Sequence, residues 1–225
     1  MNSTHQPVVL IEGLDGVGKS TLVNALVSRL GATVIASPPS MPDPRDKTVD
    51  LRQRMDVAEQ GTRREYYRSS NFHASLLAEE ARLAAPVILD RYWPSTASFA
   101  VLDEGAPEWE PLGAWPQGLV IPDVVFLLTV NEDARRERME DRGLEATEEE
   151  ERLAEVAGLR ADVLEALRCF DPIEIDTSDL TPQEVMDEVI LWLDKCEIIT
   201  HADGVEPSKG AHIEPQHGLA EREQA

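Results

Sequence analysis

Residues 13–20 read Gly-Leu-Asp-Gly-Val-Gly-Lys-Ser, a complete phosphate-loop pattern. Glycine at 13, 16 and 18 lets main-chain N–H groups converge on phosphate oxygens. A helix opening at Lys19 adds the positive end of its dipole. Lys19, in a solvent-facing loop, is placed to reach the outer phosphates of a nucleoside triphosphate, and Ser20 to give its hydroxyl to Mg2+. Gly13, Gly16, Val17, Gly18 and Thr21 complete the donor site. The competing reading is an ordinary strand-to-helix turn with a chance lysine. The full pattern, lying between a buried strand and a helix, argues against it. The loop alone does not separate kinases, GTPases and motor ATPases.

Asp90-Arg91-Tyr92 closes an apolar run. An aspartate at the carboxyl end of a buried strand sits at the sheet edge where open α/β folds bind ligands. There Asp90 can hold Mg2+ or its water, and Arg91 can bridge two phosphates. The alternative is a salt bridge at a strand end. Arg135, Arg136, Arg138 and Arg142 form a third cluster, with Gly143 as a hinge. Helical spacing puts Arg135, Arg138 and Arg142 on one face. Two readings stand: a mobile cap that brings charge to a transferring phosphoryl group, or a helix laced by pairs with Glu132, Glu137 and Glu140.

These groups need a frame. Val8-Val9-Leu10-Ile11 reads as a strand buried on both faces, as do Thr33–Ala36, Val87–Leu89, Val124–Val130 and the segment marked by Ile173 and Ile175. Between them lie helical stretches at 21–30, at 63–84 and from Asn131 on. Thr147-Glu148-Glu149-Glu150 is a capping-box start for a helix to about Leu167, and Thr181-Pro182-Gln183-Glu184 opens a last one. Segment 37–46 holds four prolines and reads as a loop, and 103–118 as a surface excursion. Strands alternating with helices predict a parallel sheet covered on both faces.

The chain has 225 residues and a net charge of −22, with 43 acidic residues. Such a field repels nucleic acid and anionic membranes, so an anionic ligand needs a local cluster of donors. No apolar run approaches the length of a membrane span. Two cysteines, Cys169 and Cys196, form no disulfide framework and suggest a reducing compartment. Met1–Gln6 is too short and polar for a secretory signal, which points to the cytoplasm, or to mitochondria if a leader has been trimmed. Residues 198–225 have no apolar face and read as a flexible acidic tail; a solvated tail suits its three histidines better than a metal site does.

Glu12-Gly13-Leu14-Asp15 through Ser20-Thr21, Asp90-Arg91-Tyr92 with Ser95, Pro122-Asp123 opening a strand, and the arginine-rich lid together resemble the thymidylate kinase family. Ser37-Pro38-Pro39-Ser40, Trp93 with Ser95-Thr96-Ala97, and Leu127-Leu128-Thr129-Val130 resemble its mitochondrial-type UMP/CMP kinase branch. The similarity runs from about Val8 to Leu193. It implies a P-loop NTPase-like α/β fold: a five-stranded parallel sheet flanked by helices on both faces, with a small lid at about 135–147, in a domain spanning 1–197. It implies ATP as donor, Mg2+, and a homodimer. Lys19, Asp90, Arg91, Arg138 and Arg142 would be catalytic, and Ser20, Asp90 and Asp15 would face the metal. Asp15, Arg45, Tyr67, Phe72, Arg91, Ser95, Thr96 and Phe99 would form the acceptor site. Arg45 would grip the acceptor phosphate and Phe99 would pack beside the sugar 2′ position.

Two departures matter. Some members of the family place a catalytic arginine inside the phosphate loop, where this chain has Gly16, so the charge falls to Arg138 or Arg142. Thymidylate kinases place a base-reading arginine after the asparagine of the long helix, where this chain has Phe72 after Asn71. The expected function is phosphoryl transfer from ATP to a pyrimidine nucleoside monophosphate of the dUMP/dCMP/UMP/CMP class. The alternatives are a thymidylate kinase proper and a non-catalytic nucleotide-binding regulatory module. A GTPase fits less well, since the chain has no Asn-Lys-x-Asp guanine reader.

Overall fold

The computed structural model describes residues 5–102, 110–142, 153 and 158–198. In chain order the elements are β1 (Val8–Glu12), α1 (Lys19–Leu30), β2 (Thr33–Ala36), β3 (Pro42–Asp43), β4 (Asp46–Asp50), α2 (Leu51–Asp56), α3 (Gln60–Ala81), β5 (Val87–Asp90), α4 (Trp93–Phe99), β6 (Val124–Thr129), α5 (Glu132–Arg142), α6 (Leu159–Arg168), β7 (Ile173–Asp176) and α7 (Pro182–Lys195). Five strands form one parallel sheet in the order β2-β5-β1-β6-β7. The sheet and helices α1, α3, α5 and α7 are those the sequence predicts, and α6 ends where it predicts; α2 and α4 are helices it does not predict.

Side chains alternate across each strand, so a run buried on both faces must be apolar throughout. Val9 and Ile11 of β1, Ile88 of β5, and Phe126 and Leu128 of β6 pack beneath Leu22, Val23 and Leu26 of α1 and Val185, Val189 and Leu193 of α7. The intervening residues Val8, Leu10, Val87 and Leu89 pack on the opposite side against Ala74 and Ala78 of α3 and Trp93 and Ala97 of α4. Local signals agree with this packing. Thr181 and Glu184 form the reciprocal capping box of α7, and the Asn131 side chain accepts from the Ala134 N–H at 2.9 Å to start α5.

Three expectations are corrected. Segment 37–46 is not a plain loop: it enters the antiparallel pair β3–β4 and leads into α2. Polar contacts hold it. Asp43 is fully buried and pairs with Arg45 and Arg54, and the Asp50 side chain caps α2 at the Arg52 N–H, 2.8 Å away. The described part of segment 103–118 runs over the surface as expected, with residues 111–114, Gln117 and Gly118 exposed, but two of its side chains tie it to the domain. Glu110 is buried, Trp115 lies 6.1 Å from the Tyr92 ring and 5.6 Å from that of Phe170, and the Trp93 indole donates to the Ala114 carbonyl at 2.9 Å. Finally, α3 runs from Gln60 to Ala81 rather than 63–84, because the Glu59 side chain caps it at the Gly61 and Thr62 N–H groups. Ile198, assigned to the tail by sequence, packs against the core. The capping-box start at Thr147, the lid beyond 142 and residues 199–225 lie outside the described residues.

Candidate active site

The carboxyl ends of β1, β2 and β5 open onto one cleft, lined among others by Asp15, Lys19, Ser20, Arg52, Asp90 and Arg91. The phosphate loop leaves β1 in a conformation that only glycine enters cheaply. Gly13 has φ +141°, and a Cβ there would lie 2.5 Å from the Leu128 carbonyl oxygen of β6. Gly16 has φ +86°, and a Cβ there would meet the Arg135 Cγ at 2.7 Å, with Met139 behind it. The helix α5 therefore rests directly on the phosphate loop.

Lys19 is buried, not solvent-facing: its Nζ donates to the Leu14 carbonyl at 2.7 Å and lies 3.6 Å from Asp15 Oδ1. The loop folds over its own lysine. Burial, helped by the Arg91 charge, lowers the Lys19 amine to about 8. Asp15 also accepts from the Arg91 guanidinium at 2.8 Å. Burial alone would raise the Asp15 carboxyl, but the Arg91 and Lys19 charges outweigh it and hold the group below the usual range. Arg91 itself has φ +62°, unusual for a branched-free but bulky side chain. Its N–H is fixed to the Ile11 carbonyl at 3.1 Å, and its guanidinium lies over the Phe99 ring at 5.8 Å. The result is Lys19 and Arg91 on either side of one carboxylate.

Beneath this pair, Glu12 at the end of β1 is almost fully buried. It accepts from the Tyr92 N–H at 2.9 Å, the Ser95 N–H at 3.2 Å and the Ser95 hydroxyl at 2.6 Å. Burial raises its carboxyl despite the Arg91 charge and these donors. Glu12 thereby ties the phosphate-loop strand to the start of α4.

A pH effect follows from Lys19. A phosphate placed beside Nζ would favour the ammonium, so a donor nucleotide bound there would raise the amine's pKa above its free value near 8. Above pH 8 binding must then take up a proton, and affinity must fall as pH rises. Calorimetry at pH 8.5 in two buffers of different ionisation enthalpy should show net proton uptake on ATP binding, and no uptake would contradict the shift.

A family model described as thymidylate kinase matches residues 11–189, most of the chain. The chain belongs to the thymidylate kinase family. The family is one of nucleoside monophosphate kinases, and the chain is assigned to that enzyme class. Over 154 residues it is 38% identical to the human protein "UMP-CMP kinase 2, mitochondrial", which is 65% of this chain and 33% of that protein. The chain thus spans about a third of this longer relative's length. It is 26% identical to thymidylate kinase from Leptospira interrogans over 196 residues, 82% of this chain and 93% of that one. The thymidylate kinase structure from Candida albicans superposes with a TM-score of 0.62 at 19% identity, covering 86% of this chain and 93% of that one, which speaks for the fold. The similarity to the human protein accords with the resemblance to the UMP/CMP kinase branch.

The site residues inferred from sequence fall into four groups. Asp15, Gly16, Gly18, Lys19, Ser20, Asp90 and Arg91 share the cleft. Ser95, Thr96 and Phe99 stand on α4 next to it: Ser95 is held by Glu12, and the Thr96 hydroxyl accepts from Asn71 Nδ2 at 2.7 Å. Tyr67 donates to Asp56 at 2.5 Å, at the junction of α2 and α3. Arg45, Phe72 and Arg138 are not brought into the cleft. The Arg45 side chain is 67% exposed and paired with Asp43. Phe72 is 42% exposed and lies over Gly118. Arg138 donates to the Thr177 hydroxyl at 2.9 Å and carbonyl at 2.6 Å. The Arg142 side chain lies outside the described residues. Sequence reasoning missed Arg52, which lines the cleft from α2. Its only signal was its place two residues after the capping Asp50, and that signal needs the hairpin to be known.

Proposed function

We propose that the protein transfers the γ-phosphoryl group of ATP to a pyrimidine nucleoside monophosphate of the dUMP, dCMP, UMP or CMP class. The observation that supports this best is the facing of two cationic groups across one cleft. Lys19 and the loop main chain stand on one side, and Arg91 with Arg52 on the other, with Asp15 between them. A donor needs one such half. A second half suits an acceptor that also carries a phosphate. Phosphoryl transfer of this kind needs positioning and charge neutralisation rather than a covalent intermediate. In this reading Arg52 takes the acceptor-phosphate role that the sequence suggested for Arg45. Phe99, stacked under Arg91, lies beside the sugar and disfavours a 2′-hydroxyl.

The donor set for a cation is all oxygen: the Ser20 hydroxyl with Asp90 and Asp15. This fits Mg2+, which is commonly held by one or two carboxylates together with substrate phosphates. Among the described residues no group of three or more His, Cys, Asp or Glu side chains is placed to hold a metal ion. When bound, Mg2+ neutralises phosphate charge.

A second copy of the chain is our reading for the partner. The long helix α3 leaves Phe72, Leu76 and Leu77 exposed. We place the protein in a reducing compartment, since Cys169 and Cys196 are free and exposed. The cytoplasm is the first choice, with the mitochondrial location in the human relative's name as the alternative. No helix among the described residues is long and apolar enough to cross a membrane. The domain is taken as 1–197 with the lid at 135–147, followed by a tail.

The test is kcat/KM for dUMP, dCMP, dTMP, UMP, CMP, dAMP and dGMP at fixed ATP and Mg2+. The deoxy pyrimidine forms should lead, and the purine monophosphates should be rejected. An exclusive preference for dTMP would promote thymidylate kinase proper, which the family model and the bacterial relative favour. No turnover with any of them would favour the regulatory module.

A further inference from the structure

A buried charged cluster lies apart from the catalytic cleft. Arg64 and Arg68, one turn apart on α3, both face the carboxylate of Glu110, whose side chain is completely buried. The Arg68 Nε donates to Glu110 Oε1 at 2.5 Å, and Arg64 NH1 stands 3.3 Å from Oε2. Arg68 also reaches Glu65 at 2.7 Å. The same Arg64 NH1 donates to the Thr96 carbonyl at 3.0 Å. Thr96 is held a second time from α3, through its hydroxyl and the Asn71 amide, and Asn71 accepts from the Ser37 hydroxyl at 3.1 Å. Ser37 lines the cleft. One carboxylate thus ends a chain of contacts that runs from Glu110 through Arg64 and Thr96 to Asn71 and Ser37.

Buried ions are costly unless paired, and replacing such a cluster by apolar groups of similar volume is often neutral for stability. Stability therefore gives a weak account of why three charges are buried here. A guanidinium offers a rigid planar fork, which a carboxylate can fix in one orientation. The contacts of that fork end on α4, at the residue next to Ser95. We propose that Glu110 is a positioning residue for the acceptor site. Its charge, 3.3 Å from Arg64 Nη1, holds that nitrogen on the Thr96 carbonyl, and so sets where the Thr96 hydroxyl and the Asn71 side chain stand toward the acceptor nucleoside. The inference rests on the assignment of α4 to the acceptor side. The donor half, built from the phosphate loop, shares none of these contacts.

The experiment uses the full chain and whichever monophosphate the wild-type protein turns over best. Glu110→Gln keeps the shape and removes the charge that holds the fork. It should raise the acceptor KM at least tenfold, leave the ATP KM within twofold, and narrow the preference between dCMP and dUMP. Glu110→Asp should recover part of the loss. If Glu110→Gln fails to fold, the triple variant Glu110→Leu, Arg64→Met, Arg68→Met removes all three charges together and must show the same split between the two KM values. An acceptor KM within twofold of wild type, or an equal rise in both KM values, overturns the proposal. A purine as best wild-type acceptor would overturn the pyrimidine reading alone, and the Glu110 test would then be run with that purine monophosphate.

Discussion

A Lys19→Met variant is expected to lose about a thousandfold or more in kcat while melting no lower than the parent protein. The two halves of this result have one origin. Lys19 sits in the phosphate loop with its Nζ turned in on the Leu14 carbonyl and 3.6 Å from Asp15. In the free protein the ammonium is buried, and burial lowers its pKa from 10.5 to about 8. The sign is clear. Between pH 8 and 10.5 the unfolded chain carries more protons than the folded one, so the folded state gains stability as pH rises through that window. Below pH 8 the full penalty of the buried charge is present. Methionine keeps most of the volume and removes that penalty, so stability at pH 7 should hold or rise. Phosphoryl transfer, by contrast, loses a fixed charge beside the migrating group. A thousandfold loss corresponds to about 4 kcal/mol, the size expected for one pre-positioned cationic donor. Turnover and melting temperature measured side by side decide it. A variant that keeps more than about a tenth of the rate would remove Lys19 from the mechanism, and a large fall in melting temperature would mean that the lysine serves the fold.

Gly13→Ala is expected to damage the fold and the activity together. Its φ of +141° lies outside the range alanine adopts without strain, and the new Cβ would lie 2.5 Å from the Leu128 carbonyl. That oxygen belongs to β6, which is hydrogen-bonded to β1 and cannot give way without disturbing the centre of the sheet. Strain and clash together should cost about 3–5 kcal/mol. For a domain of this size that is a fall of roughly 10 °C in melting temperature. Because the loop would be pushed off the strand, ATP binding should weaken as well. Thermal unfolding with and without saturating ATP tests both. A melting point within about 2 °C of the parent would show that the loop relaxes freely and is not braced by β6.

What the sequence discloses depends on whether a segment is held by repeated or by singular contacts. Residues 8–11, 87–89 and 124–128 are packed from both faces, so every residue in them is apolar and the strands are plain to read. The capping box at Thr181 is equally plain, because its signal is four residues long and self-contained. The β3–β4 pair is not, since it is secured by the buried Asp43 and by Asp50 rather than by an apolar period. The segment around Glu110 and Trp115 hides for the same reason: one carboxylate and one ring anchor it from across the domain. The site divides similarly. The phosphate loop and Asp90-Arg91 are fixed by residue type and spacing. Arg52 enters the cleft only because a polar hairpin turns the chain there. Arg138 shows the opposite failing: helical spacing put it beside the other lid arginines, and the contact with Thr177 at the end of β7 claims it.

The contact between Gly16 and Arg135 constrains how such chains can diverge. The space that a side chain at position 16 would enter is filled by the Arg135 methylene groups and Met139. Positions more than a hundred residues apart therefore compete for one volume. A lineage that gains a residue with a side chain at 16 must first shorten position 135 or move the helix, and a lineage that loses it can afterwards fill the gap from 135. The order of those two steps is not free: the reverse order passes through an intermediate whose phosphate loop and helix α5 cannot both be in place. Substitutions at 16 and 135 should therefore be inherited as a pair, each masking the cost of the other.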